Sequence, residues 1–286
     1  MPPEVIAIVS AMGWAGDGVL VRMGARTSNI YAAAFLSYSV AAAALWAYLL
    51  ATTPLHLLGS SATIYFVLSG CLQPLLARIF YYIAITRLGV SRAGPLRGIS
   101  PLFALILAVI FLHERPPPAV YAGTLLVVAS VWLLSSRGSG GGDWRLFDIV
   151  FPLAAALVAA VSQNLRRGGM LILPDPFVGA AVATTTSLVL FAASLTAVGR
   201  LRLVVPGRQS LPFFGGAALL STVAQVLNFA ALSMGEVSVM VPLLDTTPLF
   251  ILLFSAIFLK DLEKITARIV FGTILMVSGV VIISSR

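Results

Sequence analysis

The chain has 286 residues, 59% of them hydrophobic and only 10% charged, with a mean hydropathy of +1.03. A soluble domain is about 45–50% apolar and about 25% charged, so these values exclude an ordinary globular protein and require lipid to cover much of the surface. The net charge of +8 does not point to nucleic acid: the basic residues stand singly or in pairs at the ends of apolar runs, where headgroup anchors belong, and no basic stripe or aromatic reader motif accompanies them.

A bilayer-spanning helix needs roughly 17–25 apolar residues. Ten runs qualify, at about 4–22, 30–50, 62–86, 92–112, 119–136, 147–166, 177–199, 211–232, 237–259 and 266–284. Pro54, the run Pro116-Pro117-Pro118, and Pro174 with Pro176 fall between runs, where helices stop. Pro95, Pro101, Pro242 and Pro248 fall within the fourth and ninth runs, where each removes a backbone donor and kinks its helix. The first run is followed by arginines rather than a small-residue cleavage site, so no cleavable signal peptide is expected.

The segment Arg137-Gly-Ser-Gly-Gly-Gly-Asp143 reads as a flexible linker and divides the chain into near-equal halves. Shifting the first half by 147 positions lays Val90-Ser91 on Val237-Ser238, Pro95-Leu96 on Pro242-Leu243, Pro101-Leu102-Phe103 on Pro248-Leu249-Phe250, and Glu114 on Asp261. A shift of 149 then lays Gly123-Thr124 on Gly272-Thr273 and Ser135-Ser136-Arg137 on Ser284-Ser285-Arg286. Apolar composition alone does not align prolines, glycines and an acid together. The expected organisation is a five-helix repeat over 1–137, a Gly/Ser-rich linker over 138–146, and a second five-helix repeat over 147–286. Five is odd, so the second copy crosses the membrane in the opposite sense. The predicted fold class is an all-α membrane protein, with ten transmembrane helices in two inverted repeats around a central cavity, an architecture typical of secondary transporters.

Two stretches carry a family likeness: Ser100-Pro101-Leu102-Phe103-Ala104 through Phe111-Leu112-His113-Glu114-Arg115 with Gly123, and Thr247-Pro248-Leu249-Phe250 through Phe258-Leu259-Lys260-Asp261 with Gly272 and Gly279. With this spacing the chain resembles the drug/metabolite transporter superfamily, in particular its ten-helix EamA-type members. The resemblance covers nearly the whole chain. It implies export or import of amino acids, vitamins, nucleotide derivatives or organic cations without ATP hydrolysis. Two features depart from the family pattern: Trp14-Ala15-Gly16-Asp17 places an acid in the first helix, and Asp261 stands where Glu is usual.

Charges inside the hydrocarbon cost several kcal/mol unless paired, protonated or hydrated, so embedded polar residues are the place to look for function. They are Asp17, Gln73, Arg78, Arg97, Gln163, Asn164, Gln225, Asn228 and Asp245. At a shift of 147, Arg78 corresponds to Gln225, Tyr81 to Asn228, and Gly98 to Asp245. Arg78 and Arg97 are expected to hold a carboxylate or phosphate, which guanidinium matches in a bidentate way. Asp17 or Asp245 is expected to bind an amine or take a proton. Trp14, Tyr81, Tyr82 and Phe229 are expected to supply an apolar wall. Structural alternatives stand beside these roles: Arg97 and Asp245 as a buried pair, Asp17 as a helix-end charge at a water-filled mouth, Trp14 and the tyrosines as packing or interfacial residues, the amides as interhelical glue, and Glu114 and Asp261 as caps or loop ties.

Other classes find less support. One cysteine, Cys71, and two distant histidines, His56 and His113, provide neither a metal cluster nor a nucleophile with a base. Neither enzyme activity nor a cofactor is therefore expected, and with no Walker motif or Gly-rich nucleotide loop present direct ATP use is not expected either. A non-transporting receptor or scaffold would need a soluble domain to relay a signal. The expected partners are a small-molecule solute and the lipid bilayer, the expected location is the cell inner membrane, and the assembly is a monomer or homodimer. Lys and Arg number twelve in odd-numbered loops and four in even-numbered loops and the tail, counting Arg166 and Arg167 among the latter. The positive-inside rule then places both termini outside, whereas the family resemblance implies both inside.

Overall fold

The computed structural model describes residues 1–88, 93, 96–135, 146–258 and 267–285. Most of the linker expected at 138–146, Pro95 and Asp261 lie outside the described residues, as do the side chains of Arg78 and Tyr82. Among the described residues every regular element is a helix. We number the α-helices α1 (Pro3–Gly24), α2 (Ile30–Thr52), α3 (Ala62–Gly70), α4 (Ala77–Leu88), α5 (Ser100–Phe111), α6 (Pro118–Ser135), α7 (Val150–Ile172), α8 (Pro176–Ala197), α9 (Leu211–Met234), α10 (Val237–Leu244), α11 (Thr247–Phe258) and α12 (Ala267–Ser284). Among the described residues, six segments are long and apolar enough to cross a membrane: Pro3–Gly24, Ile30–Thr52, Phe147–Ile172, Pro176–Ala197, Leu211–Met234 and Val237–Phe254. Shorter apolar helices cover Ala62–Gln73, Ser100–Phe111, Pro118–Leu133 and Val270–Ser284.

Local chemistry fixes the helix ends. Asn29 caps α2 by accepting from the Ala32 N–H at 2.9 Å. Asp175 caps α8 by accepting from the Phe177 and Val178 N–H groups at 2.9 and 3.1 Å, with Pro176 in the first turn where its missing donor costs nothing. Glu4 opens α1 and Arg22 closes it, each charge complementing the helix dipole.

Small residues let the helices approach closely, as lipid-embedded bundles require. On α1 the fully buried Ala7, Ala11 and Ala15 recur every fourth residue, and α1 makes its most extensive contact with α9. There the Ser10 hydroxyl donates to the Ala224 carbonyl at 2.8 Å, and a Cβ on Gly13 would stand 2.9 Å from the Ala224 Cβ. The α6–α12 contact is as close. Gly123 and Gly279 face each other so tightly that a Cβ on either would lie 2.8 Å from the other's carbonyl oxygen, and Ser130 Oγ donates to the Gly272 carbonyl at 2.8 Å.

Three expected spans are broken rather than continuous, among them the run at 92–112, which turns at Gly98 and Ile99 before α5. The run at 62–86 divides at Cys71–Leu76, where Gln73 is extended at φ −133, ψ 129. Pro74 explains this: a residue before proline is pushed out of the helical region. The run at 237–259 divides between α10 and α11, at Asp245 and Thr246. Thr246 Oγ donates to the Leu243 carbonyl at 2.7 Å and Thr247 Oγ to that of Leu244 at 2.9 Å, so hydroxyls satisfy backbone groups at a depth where water is scarce. Pro101 and Pro248 therefore sit in the opening turns of α5 and α11, not in helix interiors. The sixth expected helix is also corrected. It ends at Ile172 rather than at 166, so Arg166 and Arg167 lie within α7 and leave the even-loop count.

Candidate functional site

The helix breaks gather the central polar groups. Gly98 and Ile99 form a turn immediately before α5, as Asp245 and Thr246 do before α11. The Arg97 guanidinium lies over the Tyr81 ring of α4, 4.8 Å from its centroid, and is also a charged neighbour of Asp245. Arg97 Nε is buried without a hydrogen-bond partner, as is Gln73 Oε1 at the α3–α4 break. Arg97 and Tyr81 are thus in contact, with Asp245 within electrostatic reach of the guanidinium. Trp14 and Asp17 lie half-buried one turn apart on α1, which packs against both α10 and α11. Beside the break, an apolar cleft of about 140 Å³ is lined by Ile8, Thr246, Leu249, Phe250, Val277 and Val280.

Asn228 is joined to a residue expected from the sequence to lie outside the membrane. Arg166 of α7 is only 5% exposed. Its Nη1 donates to Asn228 Oδ1 of α9 at 3.0 Å, and its guanidinium lies 5.0 Å from the centroid of Phe229. Asn164 Nδ2 donates to the Ala104 carbonyl of α5 at 3.2 Å, which is the interhelical tie foreseen for the amides. Gln225 lies half-buried one turn from Asn228 on α9. Phe229 is fully buried against Phe66, so it is core rather than cavity wall. The signal for Arg166 was present in the sequence: the apolar run continues beyond it through Gly168 to Ile172, and the true stop is Pro174.

The same end of the bundle holds a clamp of opposite charges. Glu114 accepts from the Val237 N–H at 2.7 Å and the Ser238 N–H at 2.9 Å, closing the start of α10. Arg167 Nη1 donates to the carbonyls of Leu232 and Ser233 at 2.7 and 3.0 Å, closing the end of α9. Glu114 is therefore a cap, as its alternative reading held. His113 precedes it with φ 55, a left-handed turn that ends the α5 segment. Among the described residues, no group of three or more His, Cys, Asp or Glu side chains is placed to hold a metal ion.

An all-helical bundle with membrane-length apolar helices, one of them interrupted at Asp245, has the form of a membrane transport protein. The EamA-like transporter family matches residues 1–136 and 147–285, and the chain belongs to that family. It is 24% identical over 285 residues to a protein of Archaeoglobus fulgidus named as an uncharacterized transporter, covering 98% of this chain and 96% of that one. It is 30% identical over 89 residues to the pseudopaline exporter CntI of Pseudomonas aeruginosa, 31% of each chain. One crystal structure of another protein shares the fold at a TM-score of 0.81 and 16% identity, over 98% of this chain and 95% of the other.

Proposed function

We propose that the chain is a secondary transporter of the cell inner membrane that exports a small amphipathic solute. It crosses the bilayer ten times in two inverted repeats, 1–137 and 147–286. The contacts support this arrangement, because they pair off when the two halves are exchanged. The α1–α9 contact has its counterpart in α7 with α3 and α4, α2–α9 in α8–α3, and α5–α7 in α11–α1. At a shift of 149, the Gly123–Gly279 approach corresponds to the Gly272–Ser130 contact.

The observation that carries the functional reading is the Arg97 guanidinium over Tyr81, beside the turn before α5 and within electrostatic reach of Asp245 at the α10–α11 break. Unwound helix ends inside a bundle expose backbone and side-chain groups to a solute without exposing them to lipid. Arg97 matches a carboxylate or phosphate, and Asp245 an amine or a proton. Arg78, Tyr82, Asp17 and Gln73 complete the proposed site. The transport cycle runs by proton coupling or by exchange. Purified protein reconstituted into liposomes with a panel of amino acids, vitamins and nucleotide derivatives is expected to give saturable flux. Asp245→Asn is expected to leave exchange and abolish flux driven by a pH gradient. Unchanged pH-driven flux in that variant removes Asp245 from the coupling step, and no flux for any solute refutes the reading.

A further inference from the structure

We propose that Arg166 forms a second station for the anionic group of the transported solute, on the opposite side of the membrane midplane from Arg97. The inference rests on the transporter reading above and names what the path recognises.

A guanidinium 95% removed from solvent needs partners, because burial of an unpaired charge is costly. Arg166 has one neutral hydrogen bond, to Asn228, and one aromatic face, Phe229. Its Nε has no hydrogen-bond partner, and among the described residues it forms no ion pair. Gln163, one turn earlier on the same face of α7 and 8% exposed, has a buried oxygen without a partner. Buried polar atoms are nearly always satisfied. Two orphaned groups on one face of α7, one of them a cation, mark a place where a guest supplies the missing bonds.

The repeat locates this place. Tyr81, which holds Arg97, and Asn228, which holds Arg166, occupy equivalent positions at a shift of 147. Tyr81 stands seven residues before the end of α4 at Leu88, and Asn228 six before the end of α9 at Met234. Each lies about 10 Å from its helix end at 1.5 Å per residue. In an inverted repeat those ends face opposite sides of the membrane. The two arginines are thus matched stations, one toward each face, between which an oxyanion passes. The chemistry they share is a carboxylate or a phosphate ester.

The test uses the full chain, purified in detergent and reconstituted in liposomes, with benzoate, phenyl phosphate and neutral benzamide as probes. Benzoate or phenyl phosphate, and not benzamide, is expected to raise the unfolding temperature of the wild type; the responding arm identifies carboxylate or phosphate. In an Arg97→Gln background, which silences the other station, Arg166→Gln is expected to weaken that response at least tenfold in apparent affinity, and Arg166→Lys less. Asn228→Asp gives the guanidinium an internal carboxylate, so in the same background it is expected to abolish the response while leaving the ligand-free protein at least as stable as its parent. A wild type that responds to neither anion overturns the station, as does an Asn228→Asp protein that is folded and responds like its parent. Should Arg166→Gln fail to fold, Asn228→Asp decides alone. Saturable flux of some solute without any anion response sinks the station but leaves the transporter standing. An intact anion response with no flux of any solute does the reverse.

Discussion

Glu114 closes a helix that belongs to the other half of the chain, and removing it measures what that closure contributes. All eight residues of α10, Val237–Leu244, are buried, so water cannot replace a lost cap. The Glu114 carboxylate is 9% exposed and accepts two backbone N–H groups at 2.7 and 2.9 Å. A hydrogen bond to a charged group contributes about 1.5–3 kcal/mol, and an orphaned buried donor costs about 1–3 kcal/mol. Glu114→Ala is therefore expected to destabilise by about 3–5 kcal/mol. For a chain of this size, about 2 °C per kcal/mol gives a fall of about 6–10 °C. Glu114→Gln keeps an acceptor but loses the charge, and should fall by about half as much. Arg115→Ala, one residue on and exposed, serves as the control and should shift by less than about 1 °C. Intrinsic-fluorescence melting in detergent reads all three. A Glu114→Ala protein melting within 1 °C of wild type would refute the capping argument.

Two further predictions concern packing and surface charge. Gly123→Ala places a Cβ 2.8 Å from the immobile Gly279 carbonyl and is expected to destabilise the α6–α12 crossing by about 1–3 kcal/mol; Gly215→Ala on α9, with nothing within 4 Å, should melt at or slightly above wild type, and equal losses in the two variants would contradict the close-approach argument. Arg87 meets Asp148 at 3.0 Å, but its side chain is 51% exposed. A double-mutant cycle of Arg87→Ala and Asp148→Asn should therefore give a coupling below about 1 kcal/mol that shrinks in high salt, and a salt-independent coupling of several kcal/mol would show a dry pair instead.

The helices were legible because a bilayer imposes a length and an apolar composition: among the described residues six segments satisfy both, four shorter apolar helices fall within the other expected runs, and prolines mark several of the stops. What misled the reading was the assumption that charge ends a span. Arg166-Arg167 looked like an interfacial pair, yet one is absorbed by Asn228 and Phe229 and the other by the carbonyls at the end of α9. These partners come from a helix some 60 residues away and leave no local trace. The break at Gln73 was legible in principle, since Pro74 follows it, but an apolar run hides a proline when only hydropathy is read. The repeat arithmetic makes positions 98 and 245 equivalent, and so singled out the two turns that Gly98–Ile99 and Asp245–Thr246 form before α5 and α11. The bond from Glu114 to Val237 and Ser238 was foreseeable only as a cap of some kind, because it joins the halves across 123 residues.

On the inverted-repeat reading, directionality has to arise where the halves differ. Contacts that the halves share, such as the Gly123–Gly279 approach and the Ser130–Gly272 bond between α6 and α12, look alike from either face and cannot distinguish the two crossings of a transport cycle. Asp245 has no acidic counterpart, because position 98 is glycine, and Tyr81 is matched by Asn228. On the inverted-repeat reading, an oxyanion therefore meets an arginine beside an acid and a tyrosine at one station, and an arginine beside neutral amides at the other. On the proposed coupling, a proton on Asp245 would favour anion binding at the first station and leave the second untouched, so that the difference in affinity between the two would follow the proton gradient.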